Sequence, residues 1–193
     1  MLITIDKSLA EHIWFTADQH FGHTNIIKFC ERPFADVEEM DATLIANWNK
    51  IVKPGDTIYH LGDFTLGDAA VAHGYFSQLN GNIYILSNPW HHDKRWLNNY
   101  PGMYTRTGEV EILPPMMVAE MKHGEGHPHA ITLCHYPLAE WDRKHYNSWC
   151  LHGHSHGKYR GEGYIYDVGV DNTNYYPINL GGLFDVFYSM GWI

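Results

Sequence analysis

Ile13-Trp14-Phe15-Thr16-Ala17 runs directly into Asp18-Gln19-His20. The first five residues are apolar, aromatic and β-prone, which predicts a short buried strand. The first polar residues after such a strand lie at its carboxyl end, where α/β sheets build their ligand crevices. Outward from here the pattern repeats. Phe21-Gly22-His23 leads to a short helical pattern through Ile26, Ile27 and Phe29. Asp36 with Glu39 reads as a capping box, and Val37, Met40, Leu44, Ile45, Trp48, Ile51 and Val52 follow at helical spacing. Pro54-Gly55-Asp56 supplies a turn. Thr57-Ile58-Tyr59-His60-Leu61 is a second strand, emptying into Gly62-Asp63-Phe64. A weaker helix, interrupted by Gly74, occupies roughly Asp68 to Leu79. Ile83-Tyr84-Ile85-Leu86 is a third strand, ending at Ser87-Asn88-Pro89-Trp90-His91-His92-Asp93. Strand, helix, strand, helix, strand predicts a parallel core with right-handed crossovers.

The second half reads differently. Glu109 to Leu113 and Met116 to Met121 are strands around Pro114-Pro115, and Gly124-Glu125-Gly126-His127-Pro128 is a loop. Ala130-Ile131-Thr132-Leu133-Cys134 is a strand ending at His135-Tyr136-Pro137. Trp149-Cys150-Leu151 leads into His152-Gly153-His154-Ser155-His156-Gly157. In an extended segment, side chains at i and i+2 share a side, so His154 and His156 are expected to face one cavity, with Gly153 and Gly157 letting the backbone bend close to it. Tyr164 to Val170 and Leu183 to Tyr188 are further expected strands. The short connections predict an antiparallel arrangement here. The fold class is α/β (α+β): two packed mixed β-sheets, a β-sandwich flanked by helices, in one domain over residues 1–193.

The chain is long enough for a sizeable core, and its 45% hydrophobic and 18% charged residues are those of a folded globular protein. A net charge of −9 argues against long duplex nucleic acid as a partner. Cys30, Cys134 and Cys150 are odd in number and lack a C-x-x-C pairing, which fits a reducing cytoplasm and not a disulfide framework. Met1 to Ala10 lacks the features of a signal peptide, and no run is long enough to span a membrane. Fifteen histidines are the compositional anomaly, and they bunch at motifs.

Each strand end delivers a metal-type ligand: Asp18, His20, Asp63, Asn88, His135, His154 and His156. Taken singly each has an ordinary role: a helix cap, a turn residue, a packed loop histidine. Their recurrence at one topological place makes coincidence a poor account. Seven ligands exceed one tetrahedral zinc and fit two cations sharing a carboxylate. Imidazole and carboxylate without thiolate suit Mn²⁺, Fe, Zn²⁺ or Ni²⁺, with Mn²⁺ favoured.

These blocks resemble the calcineurin-like metallophosphoesterases, whose ordered motifs read D-x-H, G-D, G-N-H-D, H and G-H-x-H. Asp18-Gln19-His20, Gly62-Asp63, the Asn88 to Asp93 stretch, His135 and Gly153-His154-Ser155-His156 carry the resemblance. Phe21-Gly22-His23-x-Asn25-Ile26-Ile27 and Arg32-Pro33-Phe34 further resemble the small phage and bacterial members. The resemblance implies two divalent metal ions, with Asp18, His20 and His156 on the first, Asn88, His135 and His154 on the second, and Asp63 bridging. It also implies a β-sandwich flanked by helices and phosphate-ester hydrolysis by water activated between the metals, with a histidine assisting the leaving group. One block departs: Ser87 replaces the family glycine, and Pro89-Trp90-His91 intervenes before His92-Asp93. His92 keeps the His-Asp pairing, with Asp93 orienting it; His91 lies nearer Asn88. We favour His92 as the acid.

The expected activity is a phosphodiesterase on a small phosphorylated or nucleotide-type substrate. A non-catalytic phosphoesterase-fold scaffold is the rival, favoured by the altered Asn88 block and opposed by the full ligand set. A nuclease or cyclic-nucleotide esterase would use the same chemistry. His23, Arg32 and Arg95 are candidates for touching substrate, the arginines by bidentate contact to phosphate. Asp171 is a candidate carboxylate behind the ligands, His145 and His152 candidates for the rim. Trp90, Trp96, Trp141 and Tyr136 are candidates for ring stacking.

Overall fold

The computed structural model describes residues 2–87, 92–98, 100–122 and 129–192. The elements in chain order are β1 (Leu2–Asp6), β2 (Ile13–Thr16), α1 (Thr24–Phe29), α2 (Val37–Ile51), β3 (Thr57–His60), α3 (Ala69–Phe76), β4 (Asn82–Leu86), α4 (Lys94–Leu97), β5 (Met103–Tyr104), β6 (Glu109–Leu113), β7 (Met116–Lys122), β8 (His129–Cys134), β9 (Trp149–His152), β10 (Ile165–Asp167), β11 (Ile178–Asn179) and α5 (Leu180–Ser189). They build two mixed sheets, ordered β1-β7-β8-β9-β10 and β11-β2-β3-β4-β6-β5.

The expected parallel core is present: β2, β3, β4 and β6 lie side by side and parallel. Period-2 alternation sorts their side chains. Trp14, Ile58, Ile83 and Ile85 turn toward the helices and meet Met40, Leu44, Trp48 and Phe76. Phe15, Tyr59, Leu86 and Leu113 turn inward and meet Met117, Ala119, Ile131, Leu133 and Leu151 of the second sheet. The inter-sheet layer is the main apolar core. α2 starts where expected: Asp36 Oδ1 accepts from Glu39 N (2.8 Å), while Glu39 Oε2 accepts from Ala35 N (2.7 Å).

The second half is not antiparallel as expected. β8 runs parallel to β9, β9 to β10, and β1 to β7; in this sheet only β7 and β8 are antiparallel. Residues 135–148 and 153–164 separate the strands, and connections of about a dozen residues suffice to return the chain to the same end. Leu183 to Tyr188 is not a strand but part of α5. Leu180, Leu183, Phe184 and Phe187 are buried at i, i+3, i+4 and i+7, and Asn179 caps the helix by accepting from Gly182 N at 2.7 Å. The strand expected at Tyr164 to Val170 is confined to β10, and β1 was not anticipated. Among the described residues no helix is long and apolar enough to cross a membrane. The loop expected at Gly124 to Pro128 lies outside the described residues.

Candidate metal centre

The candidate ligands converge because parallel strands end together. Asp18 and His20 follow β2, Asp63 follows β3, His135 follows β8, and His154 and His156 follow β9. Backbone bonds zip the first two loops together: Leu61 N to Thr16 O (2.8 Å), Asp18 N to Gly62 O (3.1 Å) and His20 N to Asp63 O (3.0 Å). The expected extended alternation at His154 and His156 is absent. Both residues adopt left-handed backbone, φ +65° and +47°, as do Asp18 (+62°), His20 (+54°) and Asp63 (+59°). Such residues cost on the order of 1 kcal/mol each, and they gather at sites where the surroundings hold them.

Two groups of ligand atoms result, each within 4.8 Å: Asp18, His20 and His156, and Asp63, His135 and His154. Asp63 Oδ2 joins them, 3.6 Å from His20 Nε2 and 3.5 Å from His135 Nε2. Asn88 and His91 lie outside the described residues.

The donor set fits cations. Asp18 is fully buried. Its Oδ2 accepts from His154 N at 2.8 Å, but its Oδ1 has no hydrogen-bond partner, and neither ring nitrogen of His20 has one. Buried polar atoms without partners are expensive, and a cation would satisfy them together. Burial, with Asp63 and Asp167 nearby, pushes the Asp18 carboxyl well above the usual carboxylate range, against the pull of His156. Burial likewise pushes His20 well below the usual imidazole value. Without a cation Asp18 and His20 therefore favour their neutral forms. A bound cation reverses that preference for Asp18 and uses the neutral ring of His20.

Residues behind the ligands set their orientation. His135 Nδ1 donates to the Leu61 carbonyl at 3.0 Å, leaving Nε2 toward Asp63. His156 Nδ1 donates to Asp171 Oδ2 at 2.7 Å, an arrangement that fixes ring and tautomer for a ligand. Burial opposes a proton on His156, but Asp171, Cys30 and Asp18 outweigh it and raise the imidazole to about 10. Asp171 thus takes the supporting position anticipated for it. Asp167 was not anticipated: it accepts from Ser155 Oγ (2.7 Å), Gly157 N (2.8 Å) and Gly169 N (2.8 Å), pinning the loop that presents His154 and His156. His60 was also missed. Its Nδ1 accepts from Gly62 N at 3.0 Å, so Nε2 donates to Gln19 Oε1 at 2.5 Å. A histidine inside an otherwise apolar strand was the available signal.

Three candidates take other positions. Arg32, 4% exposed, is not at the substrate face. It grips Asp171 through Nε (2.8 Å) and Nη2 (2.7 Å) and donates to the Asp18 and Gln19 carbonyls (2.7 and 3.0 Å). Asp93 does not orient His92. It accepts from Phe64 N (3.0 Å), Thr65 N (3.0 Å) and Trp96 Nε1 (2.8 Å), tying the loop after β3 to α4. Trp96 is core, not a stacking platform. His92 itself enters the cleft, its Nε2 3.9 Å from Asp63 Oδ2 and its ring 4.9 Å from that of His20. His23, Arg95 and Tyr136 line the same cleft, of about 670 Å³; His145 and His152 do not. Trp90 lies outside the described residues.

Glycines permit the close approach to Asp18. A Cβ on Gly169 would stand 2.5 Å from Asp18 Oδ2 and 2.8 Å from Asp167 Oδ1. Gly169→Ala is therefore expected to displace the carboxylate and weaken Mn²⁺ binding roughly 10–100-fold, the range seen when a ligand's support is lost. Calorimetric titration checks this, and undiminished affinity would remove Asp18 from the ligand set.

No family model matches the chain. It is 33% identical over 178 residues to the uncharacterized protein MJ1445 of Methanocaldococcus jannaschii, spanning 87% of this chain and 86% of that protein. The chain belongs to the MJ1445 family. The Gene 66 protein of Mycobacterium phage L5 is 34% identical over 90 residues, 46% of this chain and 34% of the phage protein. The crystal structure of the protein of unknown function AQ665 from Aquifex aeolicus has the same fold: TM-score 0.64, 25% identity, 90% of this chain and 98% of that one. In this MJ1445 family member the two candidate ligand groups lie at one end of the parallel strands, where they open onto the cleft.

Proposed function

We propose that the protein is a dimetal-dependent phosphoesterase of the calcineurin-like type, acting on phosphodiesters. The observation that carries this reading is Asp63 Oδ2, which stands within 3.6 Å of ligand atoms from both groups. When bound, a pair of divalent cations supplies activated water and neutralises charge on the phosphoryl oxygens.

The chain's own residues do the rest. Asp18, His20 and His156 would hold one cation; His135 and His154, with Asn88, the other; Asp63 would be shared. Asp171 holds the His156 ring through its Nδ1 proton. His92, in the cleft beside Asp63, would donate a proton to the departing oxygen. Its side chain is 36% exposed. The cysteines are free, and the proposed compartment is the cytoplasm.

Metal analysis after mild purification, with hydrolysis of bis-p-nitrophenyl phosphate in the presence of Mn²⁺, tests the reading. No hydrolysis with Mn²⁺ supplied would count against it. A second expectation concerns His92. His92→Ala should slow release of an alkoxide leaving group about 10²–10⁴-fold, as general acids contribute, and slow release of p-nitrophenolate much less. Equal effects on the two leaving groups would remove His92 from the acid role.

A further inference from the structure

The cleft extends beyond the candidate ligands, and its outer wall has a composition unlike the rest of the molecule. We infer that it binds a nucleotide carrying a second phosphate besides the one attacked, with the base against Phe29 and Tyr136 and the second phosphate among Lys94, Arg95 and Lys158. This rests on the phosphoesterase reading of the metal centre.

Charge is the first observation. The chain carries 13 Lys and Arg against 22 Asp and Glu. Yet the cleft wall holds Lys94, Arg95 and Lys158, and Asp63, already a candidate ligand, is its one carboxylate among the described residues. Ion pairs between described residues engage Arg32, Arg143 and Lys144, and none engages these three. Arg95 makes one long contact, Nη1 to the Leu66 carbonyl at 3.5 Å. All three are exposed. On an acidic protein, cations without acidic partners at the mouth of one cleft focus the field there and draw in anions. The metal centre accounts for one phosphate. Cations outside it call for another.

The second observation is aromatic. Phe29 is 66% exposed and Tyr136 39% exposed. An exposed aromatic ring by itself means little, but both of these line the same cleft, one beside His23 and the other beside the candidate ligand His154. Phe29 stands 6.4 Å from the His23 ring, and Tyr136 lies 4.7 Å edge-on to His154. A planar base offers each a face to stack on. The cleft of about 670 Å³ is of the size that holds a small ligand.

The Mn²⁺-supplied protein is assayed with the thymidine dinucleotides TpT and 5′-phosphorylated pTpT. We expect kcat/KM for pTpT to exceed that for TpT at least about ten-fold at low salt, and the ratio to shrink as salt screens the cations. Lys94→Ala/Arg95→Ala/Lys158→Ala should bring the ratio to about one. Phe29→Ala should lower kcat/KM for both about ten-fold, within the effect of losing a base–aromatic stack. A wild-type ratio near one, or a ratio unchanged in the triple variant, overturns the second-phosphate site even if bis-p-nitrophenyl phosphate is hydrolysed. Glycerophosphocholine turned over as fast as pTpT overturns the nucleotide assignment. If no ester is hydrolysed, the phosphoesterase reading fails and calorimetry decides the cleft. Thymidine 3′,5′-bisphosphate binding at least ten-fold tighter than thymidine 5′-monophosphate, with the difference lost in the triple variant, upholds the anion site; equal binding overturns it.

Discussion

Asp63→Asn is expected to lower hydrolysis of bis-p-nitrophenyl phosphate on the order of 10³-fold, and the metal content of the purified protein should fall with it. The size follows from what one side chain does at this point. Its Oδ2 lies 3.6 Å from His20 Nε2, 3.5 Å from His135 Nε2 and 3.9 Å from His92 Nε2. The side chain thus stands between both ligand groups and the proposed acid. The amide keeps the volume and the fold but removes the shared charge. Loss of a single preorganised electrostatic contact to a transition state already costs about 10²–10³-fold, and here the position of the cations is lost as well. Elemental analysis and circular dichroism on the same sample separate loss of metal from loss of fold. A variant that keeps wild-type metal content and rate would show that Asp63 bridges nothing.

The largest stability effect is expected at Arg32. Its guanidinium is buried and pairs bidentately with Asp171. Arg32→Met leaves that carboxylate with one fewer partner in a dry site, and breaking a buried pair this way costs about 3–5 kcal/mol. For a chain of this size the melting temperature should fall by roughly 10 °C. Arg32→Met/Asp171→Leu should recover much of the loss, because an apolar pair replaces the ionic one. It should not recover Mn²⁺ affinity, since Asp171 also holds His156. A residual deficit of about 10–100-fold is expected. Recovery of both, or of neither, would contradict this division of roles.

The pH dependence follows from the same group. Burial would raise the Asp171 carboxyl, but the hydrogen bonds from His156 and Arg32 hold it below its ordinary value. A lowered carboxylate contributes stability above its unfolded pKa, about 3.9, and that contribution is lost as pH falls through the folded value. Thermal scans should therefore show this contribution intact at neutral pH and lost only below about pH 4.

Much of the candidate site is legible in the sequence. Asp18, His20, Asp63, His135, His154 and His156 all lie within a few residues of the end of a buried strand, and that position is a local property of the chain. The parallel order of β2, β3 and β4 was legible for the same reason, because strand and helix periods alternate along the sequence. α5 was misread because its buried positions 180, 183, 184 and 187 begin beside Gly181-Gly182, which hide a helix start. Asp93 was misread because the His-Asp spacing says nothing of the Phe64 and Thr65 amides that claim its oxygens.

The sequence by itself determined which atoms are available to bind metal and that they fall at strand ends. Only the tertiary structure decided which of them meet, and what holds them. His154 N reaches Asp18 across 136 positions and Arg32 reaches Asp171 across 139. The left-handed turns at five candidate ligands are stabilised by such contacts and not by local preference. Periodicity reports burial along one element, whereas convergence depends on pairs far apart in the chain, and no local pattern encodes them.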